Sequence, residues 1–569
     1  MRNNNILKRY FPSAEGRKWI YSHTKKRIPE LVLLTFCRMI SACIGAGFAL
    51  VTKDVINTAT AGDTEGFVAS GVRMLVIILI QIVDGALSSH LSESLFYSMD
   101  GDLKECLLHS ILNSDYEDIS AYHSGNLLYR LNSDVSGITS GIIDISTSAV
   151  SLIAGLVSAA VILISISPFF AFFMIPVSII LACATFLAQR NLKEVQKDVS
   201  RSSGRLSGFM QEIIENLLII QGMDVSEETE KKTDALLKDK IRNLKRQKDI
   251  FVTMNIGSNV IGYMGSFATL LWCAYMMLEG KSDYGSLVAV TTLVSQLQSP
   301  LLTLPSIISK FTSLTASTER VIEIDRIKKI EIVPEKDKDF IYDSLDSIEG
   351  ENLNFVYKKN TRDEKKVLAD AGFRIRKGGI TVITGASGSG KSTLMKLLLG
   401  IYHVQSGELQ LKLKDGTVIP VDRSTRGLFA YAPQNNLLLS GTIRENIMIA
   451  NRGASEEELQ CALYVSCMKE YVEKLPKGLD TVLGENGAGL SEGQIQRVNL
   501  ARAVLSGAPV LLLDEVTSAL DIQTEKMVLE RINGLQDKTC IVVTHRPAVL
   551  EMASQEMRIK DGRISEITH

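Results

Sequence analysis

The sequence predicts two folds in tandem: an α-helical membrane domain of six spans with long cytoplasmic extensions, then an α/β domain. Three observations predict this. Residues 145–188 form a run of 44 without a charged side chain, about twice what a helix needs to cross a hydrocarbon core. Residues 380–384 read as a strand that enters a glycine-rich loop and then a helical pattern, the order expected of a parallel α/β fold. Between these regions, residues 318–347 are rich in Glu, Asp and Lys, a composition shift that marks a boundary. The 569 residues exceed what a single core serves. Domains are therefore expected at 1–317 and 348–569, with 318–347 as a linker.

In the first domain, Ser167-Pro168 divides the uncharged run into a hairpin, giving spans near 145–166 and 169–188. Further spans fall near 31–51, 67–91, 250–278 and 285–309, each close to the length a bilayer demands. Lysine and arginine crowd the N-terminal flank (Arg17, Lys18, Lys25, Lys26, Arg27) and residues 190–248, and thin out near Asp63, Pro168 and Asp283. By the positive-inside rule both termini and the second domain are cytoplasmic. Residues 15–27 mix Trp19, Ile20 and Tyr21 with basic groups, which suits either an interfacial helix or a solvated lead-in. The cytoplasmic stretches 93–144 and 190–249 are too long to be simple turns. In the second, apolar residues from Leu192 to Leu217 recur at three, four and seven, so the membrane helices are expected to continue into the cytosol.

Arg38, Arg73, Gln81, Asp84, Gln296 and Gln298 fall inside the spans. Ionisable groups at that depth are costly, and Arg38 and Asp84 either line a substrate path or pair to fix helix packing. The eight cysteines have no CxxC pair and no metal spacing, and read as small buried hydrophobes. The N-terminus lacks the apolar core and small-residue cleavage site of a signal peptide. A formal charge of −2 gives no basic footprint for nucleic acid.

In the second domain, Gly385-Ala-Ser-Gly-Ser-Gly-Lys-Ser-Thr393 follows the 380–384 strand and precedes the helical 394–399. This is GxxxxGK[ST] in its strand–loop–helix setting. Gly385, Gly388 and Gly390 let backbone N–H groups curl around phosphates, with Ser387, Ser389 and Thr393 in the same loop. Lys391 supplies charge at the β- and γ-phosphates, and Ser392 places its hydroxyl on Mg²⁺. Downstream, 510–513 is an apolar run ending in Asp514-Glu515, as expected of a buried parallel strand delivering carboxylates at its C-terminal end. Asp514 is a candidate for Mg²⁺, and Glu515 for orienting and deprotonating the attacking water.

Together these residues resemble the nucleotide-binding domain of ABC transporters, and the remaining motifs follow in order. Leu490-Ser491-Glu492-Gly493-Gln494 is similar to the signature motif, with Glu492 where glycine is usual. Gln434 resembles the Q-loop glutamine that joins the Mg²⁺ site to the membrane domain, 518–521 the D-loop with Asp521, His545 the switch histidine at the γ-phosphate, and Tyr357 the aromatic that stacks on adenine. Residues 122–134 and 440–446 resemble stretches of exporter-type members, and Gly484-Glu485 their X-loop, although Asn486 stands where arginine is usual. The resemblance covers nearly the whole chain. It implies coupling helices near 115–122 and 212–222 that touch the ATPase domains, and ATP and Mg²⁺ as ligands. It also implies a second half-transporter, because each ATP lies between one phosphate loop and the opposite chain's Ser491, Gly493 and Gln494.

The expected activity is ATP-driven export of an amphipathic small molecule or peptide across the cytoplasmic membrane by alternating access. An importer on the same architecture is the alternative, and an ATP-gated channel or regulatory subunit a more distant one, since Glu515 and His545 are intact. A homodimer is favoured over a heterodimer because one chain carries every hydrolytic residue. Glu492 argues the other way, placing a carboxylate close to the phosphates.

Overall fold

The computed structural model describes residues 13–122, 124–168, 170–172, 176, 195, 198–199, 201–214, 216–330, 333–357, 365–434, 438–484, 487, 489–535, 538–544 and 546–567. Two compact units divide the chain. One runs to Asn113 and resumes over Tyr122–Ile327; the other takes Ser114–Ala121 together with everything from Lys328 onward.

The first unit is built from helices: α1 (Ala14–Thr24), α2 (Ile28–Thr60), α3 (Thr64–Leu112), α5 (Ser124–Tyr129), α6 (Val135–Ile166), α7 (Leu217–Gly222), α8 (Ser226–Leu278) and α9 (Tyr284–Asp325), with α4 (Tyr116–Ile119) in the segment that joins the other unit. Four stretches among the described residues are long and apolar enough to cross a membrane: Ala14–Thr60, Thr64–Leu112, Ser124–Ile166 and Ser226–Leu278. The expected span near 169–188 lies almost wholly outside the described residues, and the one near 285–309 falls within the 42-residue α9. Asp63 and Asp283 cap α3 and α9 by accepting from Gly66 and Ser286 N–H groups. Ile82 and Val83 on α3 and Val157 and Val161 on α6 are 57–66% exposed, an apolar surface that hydrocarbon suits and water does not.

Small residues let the helices approach. Ala46, Ala49, Ala159 and Ala289 are fully buried beside Leu163 and Leu293, and the Gln296 amide donates to the Gly45 carbonyl at 2.8 Å. Arg73 pairs with Asp54 at 3.3 Å. Among the described residues, no ion pair within 4 Å joins Arg38 to Asp84. Toward the end of α9, the Arg320 guanidinium donates to buried Asp134 at 2.8 Å and Ser317 donates to the same carboxylate at 2.9 Å. The Trp19 indole N–H donates to Asp325 at 2.9 Å, so α1 is latched to α9 by its most amphipathic side chain.

The expected linker is structured at both ends. Helix α9 continues through Asp325, and α10 (Lys338–Ser344) leads directly into the first strand at Leu345, its Asp337 cap accepting from Asp339 and Phe340 N–H groups. The division between the two units, at Ile327/Lys328, falls inside the segment, and capping and helix continuation order its ends.

The second unit has an antiparallel sheet in the order β2 (Lys365–Arg376), β1 (Leu345–Tyr357), β4 (Ser406–Leu413), β5 (Val418–Pro420). Its six-stranded sheet has the order β12 (Arg563–Ile567), β11 (Gln555–Lys560), β3 (Gly379–Gly385), β10 (Thr539–Val543), β9 (Val510–Asp514), β6 (Phe429–Ala432). All its neighbours are parallel except β11 and β12. Every residue of β9 and β10 is buried, which is why they read as unbroken apolar runs. Phe355, Leu368, Ile375 and Ile383 join Leu394 and Leu398 of α11 (Lys391–Leu398) in one core. Beyond β6 lie β7 (Gly441–Thr442), α12 (Ile443–Met448), α13 (Glu456–Val465), α14 (Lys469–Glu473), β8 (Val482–Leu483) and α15 (Glu492–Leu505). Helices α16 (Ile522–Asn533) and α17 (Pro547–Leu550) flank β10.

Candidate nucleotide-binding site

Strands β3 and β9 end on the same edge of the sheet, with Ile383 and Asp514 both in register with Val543 of β10. That edge is where the crevice of an open parallel sheet takes its ligand. The loop from Gly385 turns there into α11, whose N-terminal neighbour Gly390 has φ 108°. A Cβ on Gly390 would meet Val367 Cγ1 at 2.6 Å, and one on Gly385 would meet the Ile559 carbonyl at 2.5 Å. Both glycines are thus required by close backbone approach as well as by dihedral. The Lys391 ammonium folds back to donate to the Gly385 and Ala386 carbonyls at 2.7 and 3.1 Å. Ser389 Oγ is buried with no hydrogen-bond partner. A groove of about 680 Å³ borders Gly385–Ser389 and is lined also by Lys366, Arg558 and Lys560, three cations the motif pattern did not reveal.

At the end of β9, Asp514 is buried. Its Oδ2 accepts from the Tyr431 hydroxyl at 3.2 Å, Oδ1 has no hydrogen-bond partner, and the Ser392 hydroxyl beside the carboxyl opposes the effect of burial. Burial pushes this carboxyl above the usual range, and the neighbouring Glu515 adds to the shift. Glu515 sits at φ 52°, a left-handed conformation that a non-glycine residue adopts at a cost of order 1 kcal/mol. Its N–H donates to the Val543 carbonyl at 3.0 Å, and its carboxylate accepts from the Gln434 amide at 2.6 Å. A hydroxyl, one unsatisfied carboxylate oxygen and a nearby amide match what a hard divalent ion takes from protein when phosphate and water complete its shell. An orphaned hydroxyl and a lysine inside the loop match the phosphate.

Tyr357 lies at the end of β1, its hydroxyl 3.0 Å from Thr393 Oγ1 and its ring edge-on to Phe355 and Tyr402, with centroids 5.0 and 5.5 Å away. Tyr357, the loop from Gly385 to Thr393, Gln434, Asp514 and Glu515 are thereby assembled at one sheet edge. Ser491, Gly493 and Gln494 are placed elsewhere, at the start of α15. Ser491 caps the helix, its Oγ accepting from Gln494 N–H at 3.4 Å while its own N–H donates to the Gln494 side chain at 2.8 Å. A Cβ on Gly493 would meet the Ala519 carbonyl at 2.8 Å. Asp521 caps α16 through Thr524 N–H at 3.0 Å, which holds its carboxyl below the usual range. His545, Glu485 and Asn486 lie outside the described residues.

Residues 31–301 match the family model for the ABC transporter transmembrane region, and residues 368–518 match the ABC transporter ATPase model, so the two take up most of the chain. The chain belongs to the ABC transporter family. This ABC transporter is 28% identical over 557 residues to ABC transporter B family member 1 of Dictyostelium discoideum, covering 95% of this chain and 59% of that protein's length. It is 29% identical over 454 residues to an ATP-dependent lipid A-core flippase of Vibrio vulnificus, with 78% and 75% covered. To the putative multidrug export ATP-binding/permease protein YgaD of Bacillus subtilis it is 30% identical over 387 residues, with 66% and 65% covered. A solved bacterial Atm1-family ABC exporter with ATP bound shares its fold at a TM-score of 0.77 and 20% identity, over 96% of this chain and 95% of that one. One membrane unit fused to one ATPase unit is the layout of a half-transporter of exporter architecture, and its activity is ATP hydrolysis coupled to transport.

Two contacts escaped the motif reading. Tyr431 reaches Asp514 because β6 and β9 run in parallel register, Tyr431 opposite Leu512. Arg546 donates to the Ser518 and Leu520 carbonyls and pairs with buried Glu525 at 2.9 Å, tying the residue after His545 to the 518–521 turn. Only the short Tyr431–Gln434 spacing offered a sequence cue.

Proposed function

We propose that two copies of this chain work as a homodimer in the cytoplasmic membrane, exporting an amphipathic small molecule or peptide by alternating access. The observation that carries the ATPase half is the arrangement at the end of β9: buried Asp514 with one carboxylate oxygen unpartnered, and Glu515 held by Gln434. In this reading Tyr357 stacks on the base, and the backbone of the Gly385–Thr393 loop, with Lys391, cradles the phosphates. Ser392, Asp514 and Gln434 hold Mg²⁺, which when bound neutralises phosphate charge. Glu515 accepts the proton of the attacking water, and His545 steadies the γ-phosphate. Asp521 and the Ser491–Gln494 segment act across the dimer, on the nucleotide of the other copy.

Two features favour a partner. The signature segment makes no described hydrogen bond to its own phosphate loop. Helix α7 and the residues flanking it carry Ile214, Leu218, Ile219 and Met223 at 55–84% exposure, an apolar surface that a second copy would cover. The positive-inside pattern supports a cytoplasmic location for both termini and the ATPase unit. Differential affinity of ATP for the closed and open arrangements would then drive the transport cycle. The test is substrate-stimulated phosphate release across a panel of amphipathic compounds and peptides, with Glu515→Gln as control. Uptake into inside-out vesicles on ATP addition supports export, and loss of preloaded substrate would mean import.

A further inference from the structure

Between α3 and α5 the chain leaves the membrane unit, and Ser114–Ala121 is part of the ATPase unit. Asp115 donates its N–H to the Lys328 carbonyl at 2.9 Å, and its carboxylate lies 3.5 Å from His403 Nε2. The next residue, Tyr116, meets Tyr402 edge-on, with centroids 5.9 Å apart. Tyr402 is 7% exposed. On its other side, Tyr402 packs against the Tyr357 ring at 5.5 Å, and the Tyr357 hydroxyl reaches Thr393 in the phosphate loop at 3.0 Å. Three tyrosines in series therefore join the start of α11 to the loop that connects two membrane helices. Tyr402 is the buried member and touches both neighbours, so displacing its ring withdraws an edge contact from Tyr116 and from Tyr357 together.

We propose that Tyr402 is a positioning residue of the ATPase: it fixes the Tyr357 ring and links it to Tyr116, so the α3–α5 loop responds to whether a purine base is stacked on Tyr357. The proposal rests on Tyr357 being the base platform. It makes nucleotide affinity depend on Tyr116, a residue that itself touches no nucleotide.

The test uses the purified full-length chain and two readouts: the ATP concentration giving half the maximal rise in melting temperature, and KM against kcat for basal hydrolysis. Tyr402→Leu and Tyr116→Ala are each expected to raise half-saturation by about 3- to 10-fold, with the larger change in KM. Tyr402→Phe, which keeps the ring, is expected to stay within about 2-fold. The Tyr402→Leu/Tyr116→Ala double variant should match Tyr402→Leu alone, because the two act through one path. Unchanged half-saturation in Tyr116→Ala, or additive effects in the double variant, overturns the link. Tyr116 is exposed, so this arm stands even if Tyr402→Leu fails to fold. Tyr357→Ala separates the two ideas: if it leaves half-saturation unchanged, the platform reading fails and the proposal with it. If it weakens ATP while Tyr116→Ala does not, only the link is lost.

Discussion

The Gln434 side-chain amide donates to the Glu515 carboxylate at 2.6 Å, joining the loop after β6 to the residue after β9. That bond directs the carboxylate of Glu515, a residue in the left-handed backbone conformation, toward Gln434. Glu515→Gln is expected to lower phosphate release by at least about 100-fold, the usual scale for losing a general base. ATP binding, followed by the nucleotide-dependent rise in melting temperature, should survive. Wild-type hydrolysis in this variant would remove Glu515 from the mechanism.

Asp514 gives a pH dependence whose sign is fixed by burial. Its raised pKa means the folded unit favours the protonated carboxyl, so without a cation it loses stability as pH rises through that value. A bound cation needs the ionised form and reverses the trend. The Mg²⁺ concentration for half-maximal ATPase should therefore rise as pH falls. A flat response would mean that Asp514 stays ionised throughout.

Gly493→Ala should disturb the contact between α15 and the 518–521 turn, because its Cβ would lie 2.8 Å from the Ala519 carbonyl. Overpacking of this kind costs about 1–3 kcal/mol. A lower melting temperature and reduced hydrolysis are expected together, measured on the full chain.

Arg546→Met strips two carbonyls of a donor and leaves Glu525 buried without its cation. The expected loss is about 3 kcal/mol by denaturant unfolding, at the lower end for a buried pair because Arg546 is partly exposed. Glu525→Gln in the same background should recover part of it. No recovery would place the effect in the freed carbonyls.

Leu218→Asp tests the exposed α7 tip. If a second copy covers that face, a carboxylate there should abolish substrate stimulation while leaving the melting temperature of the chain within about 1 °C, since an 84% exposed side chain contributes little to its own fold.

The phosphate loop, β9 and its two carboxylates were legible because each is a local pattern: glycines where φ is positive, and an apolar run ending in acid where a parallel strand is buried on both faces. The resemblance located α4 and α7 but not what holds them. Tyr402 and His403 against Tyr116 and Asp115 join residues nearly 290 apart in the chain, and no periodicity carries that information. Arg546 reads as a surface cation until the 518–521 turn folds beside it. Glu515 looks like any strand-end acid, since its backbone strain exists only once Val543 and Gln434 are in place. Charge marked 318–347 as a linker but said nothing of the caps and the continuation of α9 that order its ends.

Because Ser114–Ala121 belongs to the ATPase unit, that unit cannot be finished in the order in which the ribosome makes it. The segment emerges before α6, α8 and α9 exist, and its docking sites at Lys328, Tyr402 and His403 come much later. At about 5–20 residues per second, the last strand follows some 20–90 s behind. During that interval Tyr116 has no Tyr402 ring to pack against.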